Sequence, residues 1–209
     1  MADRTYPLVL KGELVEPLSP ALWLVKWLLL IPHFIILVFL WIAFIFATFL
    51  AFWAILFTGR YPRSLFDFNL GVMRWTWRVE FYSYGALATD KYPPFSLQEE
   101  PDYPATLDVE YPEHLTQWMV LVKWLLALPH YLVLAVFLGW ESHSATYGDH
   151  QHGGLLWILV IIVAIVLLFT GKYLKDIFKL VMGINRWSYR VWAYVALMTD
   201  QYPPFRLED

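Results

Sequence analysis

Two long apolar runs, each followed by a mixed aromatic and basic segment, dominate the pattern of this chain. The run "HFIILVFLWIAFIFATFLAFWAILF" (33–57) holds no charge apart from His33. More than about 18 such residues predict a membrane-spanning helix. The flanks of this run recur downstream. "LVKWLLLIPH" (24–33) and "LVKWLLALPH" (121–130) agree at eight of ten positions, 97 residues apart. "LFTGRY" (56–61) and "LFTGKY" (168–173) are 112 apart. The second copy therefore carries 15 extra residues, mostly in "ESHSATYGDHQHGG" (141–154). Both copies close alike, on "TDKYPPFSL" (89–97) and "TDQYPPFRL" (199–207). This is the pattern of a tandem duplication, and such a repeat governs the fold. It divides the chain into repeat 1 over 1–98 and repeat 2 over 99–209.

Each repeat predicts the same elements. "ATLDVEY" (105–111) alternates apolar Ala105, Leu107, Val109 and Tyr111 with polar residues, as a half-buried strand does. Tyr6-Pro7 matches Tyr103-Pro104 at the head of each copy. Ser19-Pro20 suits a helix cap followed by proline, and Thr116 is the matching cap. Gly59 and Gly171 suit helix C-terminal positions. From Leu22 to Thr58 is 37 residues. A single helix of that length measures about 55 Å, against about 30 Å of hydrocarbon. Either the chain breaks at Pro32 and one long span follows, or a helical hairpin turns near Trp41. The polar 141–154 insertion aligns beside Trp41, and polar backbone is not tolerated in lipid. It therefore favours a water-facing turn and two spans per repeat, about 20–40 and 42–58, then 117–140 and 155–170.

Downstream, "FDFNLGVMRWTWRVEFY" (66–82) and "FKLVMGINRWSYRVWAY" (178–194) share Gly71, Arg74, Trp75, Arg78, Val79 and Tyr82 of the first copy. These positions fall on one face of a helix. An amphipathic helix in the headgroup layer accounts for that face, with Trp75 and Trp187 at the interface and Arg74, Arg78, Arg186 and Arg190 on lipid phosphates. The competing reading pairs Arg74 and Arg186 with local carboxylates such as Asp90 and Asp200. The predicted fold class is thus mainly α and integral to a membrane. Each tandem repeat comprises a transmembrane helical hairpin (20–58 and 117–170) and an amphipathic interfacial helix (63–88 and 174–198). Short β-strands lie at the cytoplasmic face.

Composition strengthens the membrane expectation. The 209 residues are 59% hydrophobic and 16% charged, with 12 tryptophans and mean hydropathy +0.50. Soluble domains are about half apolar or less. No signal peptide is expected, because "MADRTYPLVLKGE" has no apolar core. With no cysteine, disulfides and thiolate chemistry are excluded. Basic residues follow each apolar stretch, whereas 141–154 has none. The positive-inside rule then puts termini, strands and basic segments on the cytoplasmic side.

Lys26 and His33 share one helical face, as do Lys123 and His130. Ionisable groups inside a membrane are functional candidates. The structural alternative has each lysine snorkelling to water and each histidine bonding the carbonyl freed beside its proline. His143, His150 and His152, with Asp149, suggest a metal-binding loop, set against a plain solvated loop. Phosphate loops, nucleophile elbows and HExxH motifs do not occur, and no cofactor is called for.

"YPEHL", "LVKWLLALPHY", "LFTGKY", "RWSYRV" and "TDQYPPF", with their first-copy counterparts, resemble a bacterial membrane family catalogued only as a domain of unknown function, common in actinobacterial-type genomes. The resemblance covers nearly the whole chain. It implies a tandem-repeat integral membrane protein and brings no activity or catalytic residues. The expected function is non-enzymatic: organising lipid, in the manner of membrane-shaping wedges, or serving as scaffold or accessory subunit of a membrane complex. Membrane lipids, a second copy or a larger complex are the expected partners, with no nucleic acid. The alternative is a small oligomeric transporter or channel lined by the Lys/His faces. An enzyme acting on lipid, with arginines holding the headgroup, ranks last.

Overall fold

A computed structural model describes residues 6–138, 154–170 and 172–208. It is mainly helical, with one small sheet. The order is β1 (Leu8–Gly12), α1 (Trp23–Leu29), α2 (Ile31–Thr58), α3 (Arg63–Tyr82), β2 (Ala105–Val109), α4 (Met119–Leu126), α5 (Leu128–Leu138), α6 (Leu155–Thr170) and α7 (Lys175–Val195).

The two strands pair antiparallel, and Leu10 sits opposite Leu107, its counterpart 97 residues on. Exchanging the two halves therefore maps this ladder onto itself. Matched residues point to one face, so α3 and α7 pack on the same side of the sheet. The strands are also exchanged: β2 lies on α3 and β1 on α7. Tyr103 Oη donates to the Arg78 carbonyl at 3.3 Å and Tyr6 Oη to the Arg190 carbonyl at 3.3 Å. The halves proposed as separate repeats thus share one core, which runs from Leu10 and Leu107 through Trp77, Phe81, Val181 and Tyr189.

Beneath α3 and α7 lies a second helical layer. α2 packs Leu37 against Trp75 and Val79 of α3. α5 packs Leu134 against Trp187 and Val191 of α7 in the same way. α2 ends at Gly59, whose φ of 68° places it in the left-handed region, with its N–H on the Ile55 carbonyl at 2.8 Å. Gly171 lies outside the described residues. α3 and α7 are each followed by a buried leucine in the left-handed region, Leu87 (φ 54°) and Leu197 (φ 66°). α3 ends at Tyr82 and α7 at Val195, short of the expected 88 and 198.

Three expectations are corrected. The hairpin turn near Trp41 is absent, because α2 is one continuous helix of 28 residues, about 42 Å long. Between Pro32 and Gly59 no proline or glycine breaks it. The break comes earlier, between α1 and α2, where Pro32 opens the second helix; the matching α4–α5 bend is 41°. In the second half, α5 and α6 align with 31–41 and 43–58 of α2, and the connection between them lies outside the described residues. Ser19 and Thr116 do not cap α1 and α4, which start at Trp23 and Met119. Their backbone N–H groups bind carboxylates instead. Finally, the tryptophans of α3 and α7 do not face lipid: Trp75 and Trp187 are buried and turn the shared face inward.

Because the ladder is self-complementary, Leu10→Ala and Leu107→Ala should each cost about 2–5 kcal/mol, by similar amounts. Thermal unfolding in detergent would measure both.

Candidate functional site

The residues singled out in the sequence gather into two equivalent clusters, each holding one YPPF tail against the helices. Lys26 lies in the last turn of α1, yet it does not snorkel. It is 1% exposed. Its Nζ donates to the Thr89 carbonyl at 2.7 Å and pairs with Asp90 Oδ1 at 3.0 Å, over the Tyr82 ring. The other oxygen of Asp90 accepts the Ser19 backbone N–H at 2.6 Å. Lys123 repeats this with the Thr199 carbonyl at 2.8 Å and Asp200 at 2.8 Å, and Thr116 N–H binds Asp200 at 2.6 Å. A buried ammonium needs such a partner, since desolvation otherwise disfavours the charge. Burial raises the Asp90 pKa, but the Ser19 N–H and the Lys26 ammonium outweigh it and hold the carboxyl below its ordinary range.

His33 and His130 are fully buried. Trp75 Nε1 donates to His33 Nδ1 at 2.9 Å, and Trp187 Nε1 to His130 Nδ1 at 3.0 Å. An indole N–H can only donate, so each Nδ1 offers a lone pair. The imidazole is therefore neutral, with its proton on Nε2. Phe95 stacks on His33 with centroids 3.9 Å apart, and Phe205 on His130 at 4.0 Å. This corrects the expectation that each histidine serves the carbonyl beside its proline. The partner is an indole 42 residues away in the first half and 57 in the second.

The arginines complete the clusters. Arg78, 2% exposed, donates to the carbonyls of Gln98 (2.8 Å) and Ser96. Arg190, also 2% exposed, donates to those of Arg206 (3.2 Å) and Glu208 (2.8 Å). Buried in this way, neither guanidinium is available to a lipid phosphate. Arg74 pairs with Asp108 at 2.7 Å and bonds the Leu107 carbonyl at 2.9 Å. Arg186 donates to the Leu207 carbonyl at 3.1 Å. The suggested partners Asp90 and Asp200 are occupied by the lysines. Each tail runs so close that a Cβ on Gly71 would lie 2.8 Å from the Leu97 carbonyl oxygen, and one on Gly183 2.8 Å from Leu207 Cβ. Glycine is required there by close approach.

This geometry holds chain against chain. A model of a family described as "Domain of unknown function (DUF4389)" matches residues 20–96 and 152–206. The chain belongs to the DUF4389 family. No curated protein and no solved structure matches it. Both DUF4389 segments end at the tail, and the first contains the complete Lys26–Asp90 and His33–Trp75 cluster. Lys123 and His130 fall between the matched segments. His143, His150 and His152 lie outside the described residues, and among the described residues no three side chains gather as metal ligands.

Sequence reasoning overlooked the aspartates as lysine partners and the YPPF tails as lids on the histidines. The readable signal was that "KW", "PH", "RW" and "TD" recur together in both copies. It also overlooked Glu80, which accepts a hydrogen bond from Tyr189 at 2.8 Å across the α3–α7 contact. The second half has Trp192 at the aligned position, so the duplication gives no sign of this bond.

Lys26→Met in this DUF4389 chain would strand Asp90 and the Thr89 carbonyl, at a cost of about 3 kcal/mol. Adding Asp90→Asn should recover part of it, which thermal unfolding in detergent would show. Burial pushes the Glu80 carboxyl up to about 7, with the Tyr189 hydrogen bond opposing. The folded chain thus keeps a proton that an unfolded glutamate, with pKa near about 4.3, gives up. Stability should fall as pH rises through that window. Glu80→Gln should flatten the fall, read as melting temperature between about pH 5 and 8.

Proposed function

We propose that this DUF4389 chain is a non-enzymatic, membrane-embedded protein that organises lipid or serves as scaffold or accessory subunit of a membrane complex. One observation carries the reading. Large exposed apolar side chains crowd α1, α2, α4, α5 and α6, among them Phe39, Phe46, Phe57, Leu132, Val136 and Phe169, while α3 and α7 carry none. Soluble monomers do not leave so much contiguous apolar surface in water. α2 is the one described unbroken helix long and apolar enough to cross a membrane, with α4 and α5 as a bent pair of similar character. A soluble core helix passes the same test, but only 22% of the most apolar window of α2 is buried.

The scaffold reading follows from where polar chemistry is spent. The charged and imidazole groups of the two clusters hold backbone, carboxylate or indole of the same chain. The wedge analogy rests instead on the apolar helices. The transport alternative has less support, since Lys26, His33, Lys123 and His130 are all buried and each is bound within its own half. In the cell, the cytoplasmic membrane of a bacterium fits, with sheet and tails on the cytoplasmic side.

Reconstituted into vesicles of phosphatidylethanolamine and phosphatidylglycerol, the chain should resist alkaline carbonate extraction and alter vesicle shape, or co-purify from cells with a fixed membrane partner. Lipids carried through purification, identified by mass spectrometry, would name the preferred class. A chain that carbonate releases, that leaves vesicles unchanged and that travels alone would sink the proposal.

A further inference from the structure

We infer that the apolar helices lie in the plane of the membrane, within one leaflet, and that α2 does not cross it. The inference rests on the membrane reading above and specifies its geometry. The occupant of the exposed apolar face is then a single lipid leaflet.

The layering argues this first. Thr48, past the middle of α2, accepts a hydrogen bond from Asn69 of α3 at 3.0 Å, and His33, near the start of α2, accepts one from Trp75. Between Asn69 and Trp75 comes Arg74, which reaches across to Leu107 and Asp108 of β2. The sheet therefore sits over the stretch of α2 between His33 and Thr48, with α3 in between. It carries charge to solvent there: the Asp108 side chain is 64% exposed, and Lys11 and Glu110 are exposed too. If α2 stood upright in a bilayer, these groups would lie at the depth of residues 33–48, inside the hydrocarbon. Charged side chains at that depth strongly disfavour the arrangement. Lying flat, α2 puts them above the headgroups.

The second half supplies an independent argument. α5 and α6 align with residues on either side of position 42 of α2, so the polar sequence between them enters at the midpoint of the equivalent helix. In an upright helix that midpoint is the bilayer centre, where unpaired polar backbone is not tolerated. In a helix lying flat every position is equally near water.

Composition and dimensions agree with a leaflet as occupant. From Phe34 to Thr58, α2 carries no charged side chain at all, whereas protein-binding faces are rimmed with polar groups. A layer one helix thick, about 10–12 Å, fits within one half of a hydrocarbon core about 30 Å deep. Both ends of the α1–α2 unit are polar and exposed, with Glu16 ahead of it and Arg60 and Arg63 after it. A one-leaflet layer also expands one monolayer over the other, which gives the wedge action a geometric basis.

The chain has no cysteine, so single cysteines report cleanly. Glu16→Cys and Arg60→Cys flank α1–α2 at exposed positions, and Lys172→Cys follows α6. We expect all three to react together with a membrane-impermeant maleimide in inverted membrane vesicles, and all three to be protected in spheroplasts. Bimane labels at Ile31→Cys, Ile42→Cys and Phe57→Cys should be quenched best by the same doxyl position, in vesicles of phosphatidylethanolamine and phosphatidylglycerol. Labelling of Glu16→Cys and Arg60→Cys from opposite sides, with Ile42→Cys the deepest label, would overturn the in-plane seat and leave the membrane reading intact. If Ile42→Cys reacts with the aqueous reagent and the chain does not stay with vesicles, both readings fail. Variants are compared only where their melting temperature matches that of the cysteine-free chain.

Discussion

Leu10 facing Leu107 across the ladder is the contact on which the rest of the molecule depends. An antiparallel pair is symmetric about an axis through the middle of its register. Here that axis falls between two residues occupying the same place in the duplicated sequence. Everything following each strand is then carried to the same side of the sheet. α3 and α7 become neighbours, and the apolar helices fall into one layer beneath them. A shift of one residue would turn the inward pair of one strand, Leu8 and Leu10 or Leu107 and Val109, to solvent. The exchange of strands between halves follows from the same register and leaves a single core.

The polar clusters stabilise this arrangement in a region poor in water. Two lysines and two histidines lie buried among apolar helices, and each meets a partner matching its chemistry: ammonium on carboxylate and carbonyl, imidazole lone pair on indole N–H. Unpaired, such groups would oppose folding by several kcal/mol each. Paired, they fix where each YPPF tail docks, and prolines keep the tail extended without unmet backbone donors. The arginines add donors for tail carbonyls that no regular structure would satisfy. Motifs that look like active-site signatures in the sequence are thus clamps that close each half.

Chemistry and surface are consequently separated. The ionisable residues of the duplicated motifs face inward, and the residues left outside on α1, α2 and α4–α6 are almost entirely apolar. Glu80 departs from the duplication: its bond to Tyr189 joins α3 to α7 on one side only.

Much of the architecture was readable without coordinates. Identical phrases at fixed spacing disclosed two equivalent halves, alternation disclosed β2, and Gly59 marked the end of α2, because these signals are local and follow from backbone sterics. The hairpin failed because an insertion in one copy was taken as a rule for both. Only the tertiary structure decided that Lys26 seeks Asp90, that His33 seeks Trp75, and that the Arg–Trp face turns inward. Those partners stand 64, 42 and about 20 residues away. Periodicity shows that a face exists, but not whether lipid or protein covers it. The sequence by itself determined which segments are helical, apolar and duplicated. The strand register determined how they stack, because pairing across 97 residues is a choice among folded alternatives that no local pattern encodes.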